Sequence, residues 1–448
     1  MKKILAVIVF SVCCDVIAAQ TPYTLEQIVD SALNNNIAVR NARLGIEAAQ
    51  QQRREAFTKY FPSVNATAMW FNANRGMAKM DVNPGEMIPA ELAPSMAAVL
   101  PPEALAALAN PMSITMMKNG TIAGVTATQP LFAGGQIVNG NRLARVGEDV
   151  SRLQLQLSET EVHKTAEQYY WQLLSLQEKL KTIAAVEELL NGIHKDVELA
   201  VRAGVAMRND LLQVQLRQND IESQKLKLHN GLSIVKLLMA QYCGLRDTTF
   251  TILPSPFTLH PSPSDVHPSP SDVQAMPEYQ LLGKQVEAAR LQKKLAVGQN
   301  MPTVAVGAGY NYHNLLQNDR TFAMVFATVS VPISDWWGGS HAVKRRNIEY
   351  QQAVDEQHDK AQLLQIGIQY AWNSLQEARQ QVDVAQRGIE QAEENLRLNR
   401  DYYRAGTSTM SSLLEAQLLY QQCMDRRTDA YADYRNRLLE YQLMTTEN

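Results

Sequence analysis

The side chains with the most evident chemical potential are methionines: eight of the 17 lie between Met69 and Met117, and thioether sulfur is soft enough to hold Cu(I). Methionine also packs adaptably against irregular apolar surface, and in a stretch this rich in Pro and Ala that plainer role takes precedence. The eight histidines (His163, His194, His229, His260, His267, His313, His341 and His358) are scattered, and none stands four residues from another His or from a Cys. No metal site of the usual helical spacing results. The glycine pairs Gly134-Gly135 and Gly338-Gly339 are followed by Gln136 and Ser340 rather than by lysine, so no phosphate-cradling loop is present. Nothing favours a hydrolytic triad. The chain is expected to be no enzyme and to carry no cofactor or metal.

With that chemistry set aside, what matters is how the chain is built. Its 448 residues are 46% apolar with a formal net charge of -3, ordinary for a folded protein and no sign of a nucleic-acid partner. The first residues, "MKKILAVIVFSVCCDVIAAQ", place two lysines before an apolar run that ends in Ala18 and Ala19. That is the grammar of a secretory signal peptide over 1–19, leaving a mature chain from about Gln20. Lipidation at Cys13 or Cys14 would call for a small residue before the cysteine, and Val12 before Cys13 fits poorly. Cys243 and Cys423 hold non-equivalent places and read as packed, inert thiols. After the signal peptide no apolar run reaches the ~20 residues of a membrane-spanning helix, so entry into a membrane would have to be by strands.

The stretch "VRAGVAMRNDLLQVQ" (201–215) returns as "YRAGTSTMSSLLEAQ" (403–417), 202 residues later. Pro130 and Pro332 keep the same offset, in "QPLFAGGQ" and "VPISDWWGGS", and "EAAQQQRREAFTKYFPSV" aligns with "EAARLQKKLAVGQNMPTV", bringing Pro62 onto Pro302. A fixed offset of this kind marks an internal duplication. The first repeat is expected over 20–252, with strands at about 63–74 and 119–129 and a helical hairpin at 134–243. The second is expected over 274–448, with strands at about 303–313 and 321–331 and a hairpin at 339–444. Between them, 253–273 contains the tandem "HPSPSDVHPSPSDV" and reads as an extended linker. The surplus at about 75–118 in the first repeat reads as a long loop.

Alternation sets the strands. Val304, Val306, Ala308, Tyr310 and Tyr312 share one face, as do Val64, Ala66, Ala68 and Trp70, then Ala127, Val125 and Ala123, then Val331, Val329, Ala327, Val325 and Ala323. The opposite face carries Asn65, Thr67, Thr126, Thr128, Thr328 and Ser330, with Phe322, Met324 and Phe326 as exceptions. An apolar outer face ending in Trp70, Tyr310 and Tyr312 suits an outer-membrane barrel with interface aromatics. Four strands cannot close one, so several copies must share it. The proline-free stretch from Gly135 to about Ala200 reads as helix of ~100 Å at ~1.5 Å per residue. Leu176, Ile183, Leu190 and Val197 recur every seven residues, the spacing of a coiled coil. Each Arg-Ala-Gly would end such a helix at its glycine and turn the chain back.

In order, duplication and intervening lengths these elements resemble the outer-membrane efflux family, the TolC-like channels, over nearly the whole mature chain. The resemblance implies an α+β membrane protein. It implies a homotrimer whose 12-stranded outer-membrane β-barrel, four strands per protomer, is continued by a periplasmic α-helical coiled-coil barrel. It implies strand-to-helix junctions at Pro62, Pro130, Gly134 and Gly135 and at Pro302, Pro332, Gly338 and Gly339. The hairpin tips, Arg202, Ala203, Gly204, Val205 and Arg404, Ala405, Gly406, Thr407, would meet a periplasmic adaptor carried by an inner-membrane pump, with outer-membrane lipid around the barrel. Where the family can narrow its tunnel with acidic rings, this chain has Arg397 and Arg400 beside Asp401, implying a basic or mixed constriction. The leading expectation is a passive gated duct for small molecules, its energy supplied by the pump. Export of proteins or metal ions through the same architecture, and a periplasmic coiled-coil scaffold without a pore, are the alternatives.

Overall fold

The computed structural model describes residues 22–76, 78–116, 118–245, 250–253, 272–315, 319–333 and 335–445. The signal peptide and the linker, apart from Leu253, Asp272 and Val273, lie outside the described residues.

The chain opens with α1 (Leu25–Asn35) under a capping box: Thr24 Oγ1 accepts from the Gln27 N–H at 3.3 Å, and Gln27 Oε1 accepts from the Thr24 N–H at 3.0 Å. Asn36 then ends α1 and starts α2 (Ile37–Thr58), its Oδ1 accepting from the Ala38 N–H at 2.8 Å. Next come β1 (Ser63–Asn72), β2 (Ala78–Val82), α3 (Ala93–Val99), α4 (Pro102–Ala109), β3 (Met112–Met116) and β4 (Asn119–Ala133). The hairpin of α5 (Gln136–Arg202) and α6 (Arg208–Cys243) follows. A short α7 (Asp272–Ala275) and α8 (Pro277–Gln299) lead to β5 (Thr303–Asn314) and β6 (Asp319–Ser330), then to a second hairpin, α9 (Asp335–Arg404) and α10 (Met410–Thr445).

The stretch read as a long loop is instead structured. β2 and β3 form their own antiparallel pair, from Ala78↔Met116 to Val82↔Met112, with α3 and α4 between them. Its prolines suggest a loop, yet Pro94 and Pro102 sit in the first turns of α3 and α4, where a missing N–H costs nothing. The alanines that follow are the best helix formers.

The four long strands form one antiparallel sheet in the order β1-β4-β5-β6, leaving β1 and β6 as unpaired edges. Its register joins Val64↔Ala127, Ala66↔Val125, Val125↔Tyr310, Ala127↔Ala308, Ala308↔Val325 and Tyr310↔Ala323. Directly paired residues share a face, so the apolar set read from alternation is one continuous surface. It is open to solvent in the single chain, Trp70 being 70% and Val325 86% exposed. The other face pairs Asn65↔Thr126, Gly309↔Met324 and Gly307↔Phe326. A Cβ on Gly307 would collide with the Phe326 ring. The aromatic therefore lies down over a glycine of the neighbouring strand, which accommodates Phe326 on an otherwise polar face.

Two compact units divide the chain, and they cut across the repeats. One comprises the chain up to Gln50, Gly147–Val286 and Gln352 onward; the other comprises Gln51–Val146 and Glu287–Gln351 and holds the sheet. The helical unit is packed on heptads. Ile183, Val186, Leu190, Ile193 and Val197 of α5 are buried with Val214 and Ile221 of α6 and Met410 and Leu413 of α10. On α9, Ile368, Ala371, Leu375, Ala378, Val382, Ile389 and Ala392 are buried in the same rhythm. A second cluster surrounds Trp171, whose indole N–H donates to Glu167 at 2.8 Å, with the Arg435 guanidinium 4.7 Å from the ring centroid. Cys243 and Cys423 are both buried and reduced, and burial pushes the Cys243 thiol up to about 11. No helix among the described residues is long and apolar enough to cross a membrane.

Candidate functional site

Both hairpin turns close through the same hydrogen bonds. In the first, Gly204 adopts φ +75°, its N–H donates to Val201 O at 3.1 Å, and the Val205 N–H donates to Ala200 O at 2.9 Å. In the second, Gly406 adopts φ +74°, its N–H donates to Tyr403 O at 3.0 Å, and the Thr407 N–H donates to Tyr402 O at 2.9 Å. This is the double bond of a Schellman stop with glycine in the left-handed position. It also explains the motif: Arg202 and Arg404 occupy the last helical turn, where a cation faces the negative end of the helix dipole. Ala203 and Ala405 are the caps, and the glycines reverse the chain. Val205 is 79% exposed and Met207 74%, so the first tip presents apolar surface. At the second tip Arg404 reaches Asp196 of α5 at 3.7 Å. Thr409 caps α10 by accepting from the Ser412 N–H at 3.2 Å.

Just behind the tips α6 and α10 meet through polar groups. Arg217 donates from Nε to Gln417 at 2.9 Å and from its terminal nitrogen to Gln421 at 2.8 Å; Gln421 donates to Gln224 at 2.7 Å. Burial lowers the Arg217 pKa, opposed by Asp220. Gln417 is fully buried. Nothing in the heptad reading pointed to this seam; the sequence signal is a glutamine at a position, 417, where hairpin packing calls for an apolar residue.

The strand-to-helix junctions differ between the repeats. In the first, Gly134 (φ +60°) and Gly135 (φ +74°) lie between β4 and α5, and the Gly135 carbonyl accepts the first helical bond from Asn139 at 3.0 Å. A Cβ on Gly134 would strike the Gly298 carbonyl at the end of α8, so only glycine lets the two backbones touch. Pro130 lies inside β4, pairing with Ala305, and a bulge separates it from Phe132. The expectation that it ends the strand is corrected: a bulge accommodates a residue without an N–H. In the second repeat Pro332 follows β6, but Gly338 and Gly339 lie within the first two turns of α9, not ahead of it. The two extra residues before this glycine pair shift it into the helix. A Cβ on Gly339 would meet the Asn300 side chain, whereas Gly338 faces open space. Pro62 and Pro302 directly precede β1 and β5.

Arg397 is not a free cation. It pairs with Glu394 at 2.7 Å and with Asp401 at 3.0 Å, and the hydrogen bond to Glu394 pushes its own pKa up and holds that carboxyl low. With Arg400 exposed on the same helix, Glu394, Arg397, Arg400 and Asp401 sum to zero formal charge.

Trp70, Tyr310 and Tyr312 share the apolar face. Trp70 pairs with Thr121, in the row of Asn314, so it stands four residues beyond Tyr310 in register. Tyr312 donates its hydroxyl to Asp319 at 2.8 Å. A second set of aromatics, not singled out from the sequence, flanks the prolines at the helical end of the strands: Phe61 is 57%, Phe132 47% and Trp337 76% exposed. Phe61 and Phe132 stand one and two residues from Pro62 and Pro130, which was the available signal for them, whereas Trp337 lies in the first turn of α9.

The profile of the family described as outer membrane efflux protein matches residues 28–235 and 279–443. The chain belongs to that family. Search among curated proteins by sequence gives no match. Solved structures of similar fold include the outer membrane protein VceC of Vibrio cholerae, 14% identical with a TM-score of 0.74 over 95% of this chain and 97% of that one. CusC is 15% identical with a TM-score of 0.76, covering 96% and 93%. The CmeC outer membrane channel of Campylobacter jejuni is 15% identical with a TM-score of 0.75, covering 94% and 85%. The fold is shared with these outer-membrane proteins, and no group of three or more His, Cys, Asp or Glu residues able to hold a metal occurs among the described residues.

Proposed function

We propose that this efflux-family protein is a passive, gated duct that carries small molecules from a periplasmic adaptor and its inner-membrane pump across the outer membrane. The carrying observation is the sheet: one face continuous in Val, Ala, Trp and Tyr, the other mostly Thr, Asn, Ser and Gly, with β1 and β6 left as bare edges. In hydrocarbon a bare edge leaves backbone groups unsatisfied, so the β6 edge of one copy pairs with the β1 edge of the next. Three copies give twelve strands. Strands of ten residues span ~33 Å, or ~25 Å of membrane at a tilt of ~40°; in this reading Trp70 marks one interface and Phe61, Phe132 and Trp337 the other, while Tyr310, level with Ala66 in register, faces lipid between them. The helical hairpins lie in the periplasm, and the paired Schellman tips dock the adaptor, six tips to a trimer.

The test is planar-bilayer conductance of detergent-extracted protein together with its mass in solution. Trimers that insert and conduct are expected; monomers released without detergent would leave only the scaffold reading. For docking, Gly204→Pro or Gly406→Asp abolishes export while trimers still form. Normal export with both changes present would remove the tips from the docking assignment.

A further inference from the structure

The face of the sheet opposite the aromatics is almost without charge. Across β1, β4, β5 and β6 its described residues are Ser, Thr, Asn, Gly, Ala, Met, Ile, Phe, Pro and one His; Arg320 alone carries a formal charge. Asp319, next in sequence, belongs to the apolar face, where it accepts from Tyr312 and Asn314. Arg320 is exposed and pairs in register with His313. Two residues along β6, ~6.6 Å away at the rise of a strand, stands Phe322 on the same face, 45% exposed and with its ring edge-on to His313 at 6.0 Å. Met324, 43% exposed, continues the apolar row. Opposite Phe322 the register places the Asn311 amide.

We infer that Arg320, Phe322 and Met324 form a contact site for aromatic organic anions on the inner wall of the duct. The inference rests on the channel reading, which makes this face the lumen. Phe322 and Met324 offer apolar surface to an aryl ring, and the Arg320 guanidinium, held at one end of that row, meets a carboxylate or sulfonate through charge-assisted hydrogen bonds. No carboxylate shares the face among the described residues, so no anionic group there offsets the repulsion that Arg320 exerts on a cation. A wall lacking acidic groups and bearing one guanidinium per copy is complementary to anions, and the ring shelf selects aromatic ones among them. Phe326, which covers Gly307, is a packing residue and not part of the site.

Conductance of the mature full-length protein in planar bilayers tests this with three probes: 2-naphthalenesulfonate, methanesulfonate and benzyltrimethylammonium. Naphthalenesulfonate is expected to interrupt the current at concentrations where the other two leave it unchanged. Arg320→Gln and Phe322→Thr should each raise the half-blocking concentration about tenfold, the loss of one charge-assisted contact or one ring contact, while Arg320→Lys retains most of the block. The open-channel current of each variant reports assembly, and Phe326 is left in place to cover Gly307. Equal action of the two sulfonates on the wild-type protein, or stronger action of the aromatic cation, overturns the inference while leaving the channel intact. Block that persists unchanged in conducting Arg320→Gln and Phe322→Thr variants overturns it as well. Absence of any wild-type conductance removes the channel reading itself, and the site with it.

Discussion

The hairpin tips and the strand-to-helix junctions are both repeated in the sequence, yet only the tips repeat in structure. At Gly204 and Gly406 φ agrees within a degree and the hydrogen bonds are the same. At the junctions one glycine pair is left-handed and the other helical. A tip is decided within six residues by a glycine and the carbonyls it faces. A junction is decided by what else arrives there: the end of α8 at Gly134, and Asn300 at Gly339. Local signals survive duplication, whereas packing is renegotiated in each copy.

Substitution at the junctions should widen that contrast most. Gly134→Ala is expected to lower stability by ~2–4 kcal/mol, combining a left-handed backbone with a collision against Gly298. Gly338→Ala, helical and facing open space, should raise it by ~0.5–1 kcal/mol. Thermal unfolding of the detergent-extracted protein reads both; similar losses at the two sites would show the junctions to be equivalent after all.

The tips should respond alike. A methyl group on either glycine would have no neighbour within 4 Å, so Gly204→Ala and Gly406→Ala each carry only the left-handed backbone cost of ~1–2 kcal/mol. Unequal losses, differing by more than ~0.5 kcal/mol, the limit for independent sites, would mean that the Arg404 contact to Asp196 couples one tip to the other hairpin. A smaller effect separates the helices that leave the tips. Thr409→Ala removes a capping bond and should cost ~1 kcal/mol. Met207 has no side-chain oxygen to cap α6, although its own N–H donates to Asp210 Oδ2 at 3.2 Å, so Met207→Thr should gain about as much. The same unfolding assay, run on both variants, shows whether the two caps are the unequal parts of otherwise equal turns.

This division also explains what was legible in the sequence. Strand parity was readable because alternation with period two assigns a face to every residue, and the register of Val64, Ala127, Ala308 and Val325 follows it. The Arg-Ala-Gly stops were readable because a left-handed glycine is a local requirement. The β2–β3 pair with α3 and α4 was not, because proline marks both a loop and a first helical turn, and only the residues that follow decide. The place of Pro130 within β4 was not, because a bulge depends on the partner strand. The seam of Arg217, Gln417 and Gln421 was hidden for a related reason: three polar residues on two helices about 200 residues apart announce nothing until the helices touch.

The last contrast lies along the returning helices themselves. At the 202-residue offset Asp425 of α10 corresponds to Ser223 of α6, so one copy carries an ionisable group where the other has a hydroxyl. Burial raises the Asp425 pKa, Lys179 works against that, Asp429 adds to it and Gln421 opposes it. Its Oδ1 has no hydrogen-bond partner among the described residues. A carboxyl whose folded pKa is raised contributes stability that is fully present below its unfolded pKa of ~3.9 and is lost as pH rises through the folded value. Wild-type protein should therefore fall behind Asp425→Asn as pH climbs through and above the ordinary carboxylate range, with little difference between them in acid and a constant one at neutral pH. Because the site is only half buried, solvent screening keeps the effect below that of a lost cap. Unfolding midpoints of both proteins across about pH 3–8 test the sign: an advantage for wild type at neutral pH would mean that the Lys179 attraction outweighs burial, and that α10 gains from the charge that α6 lacks.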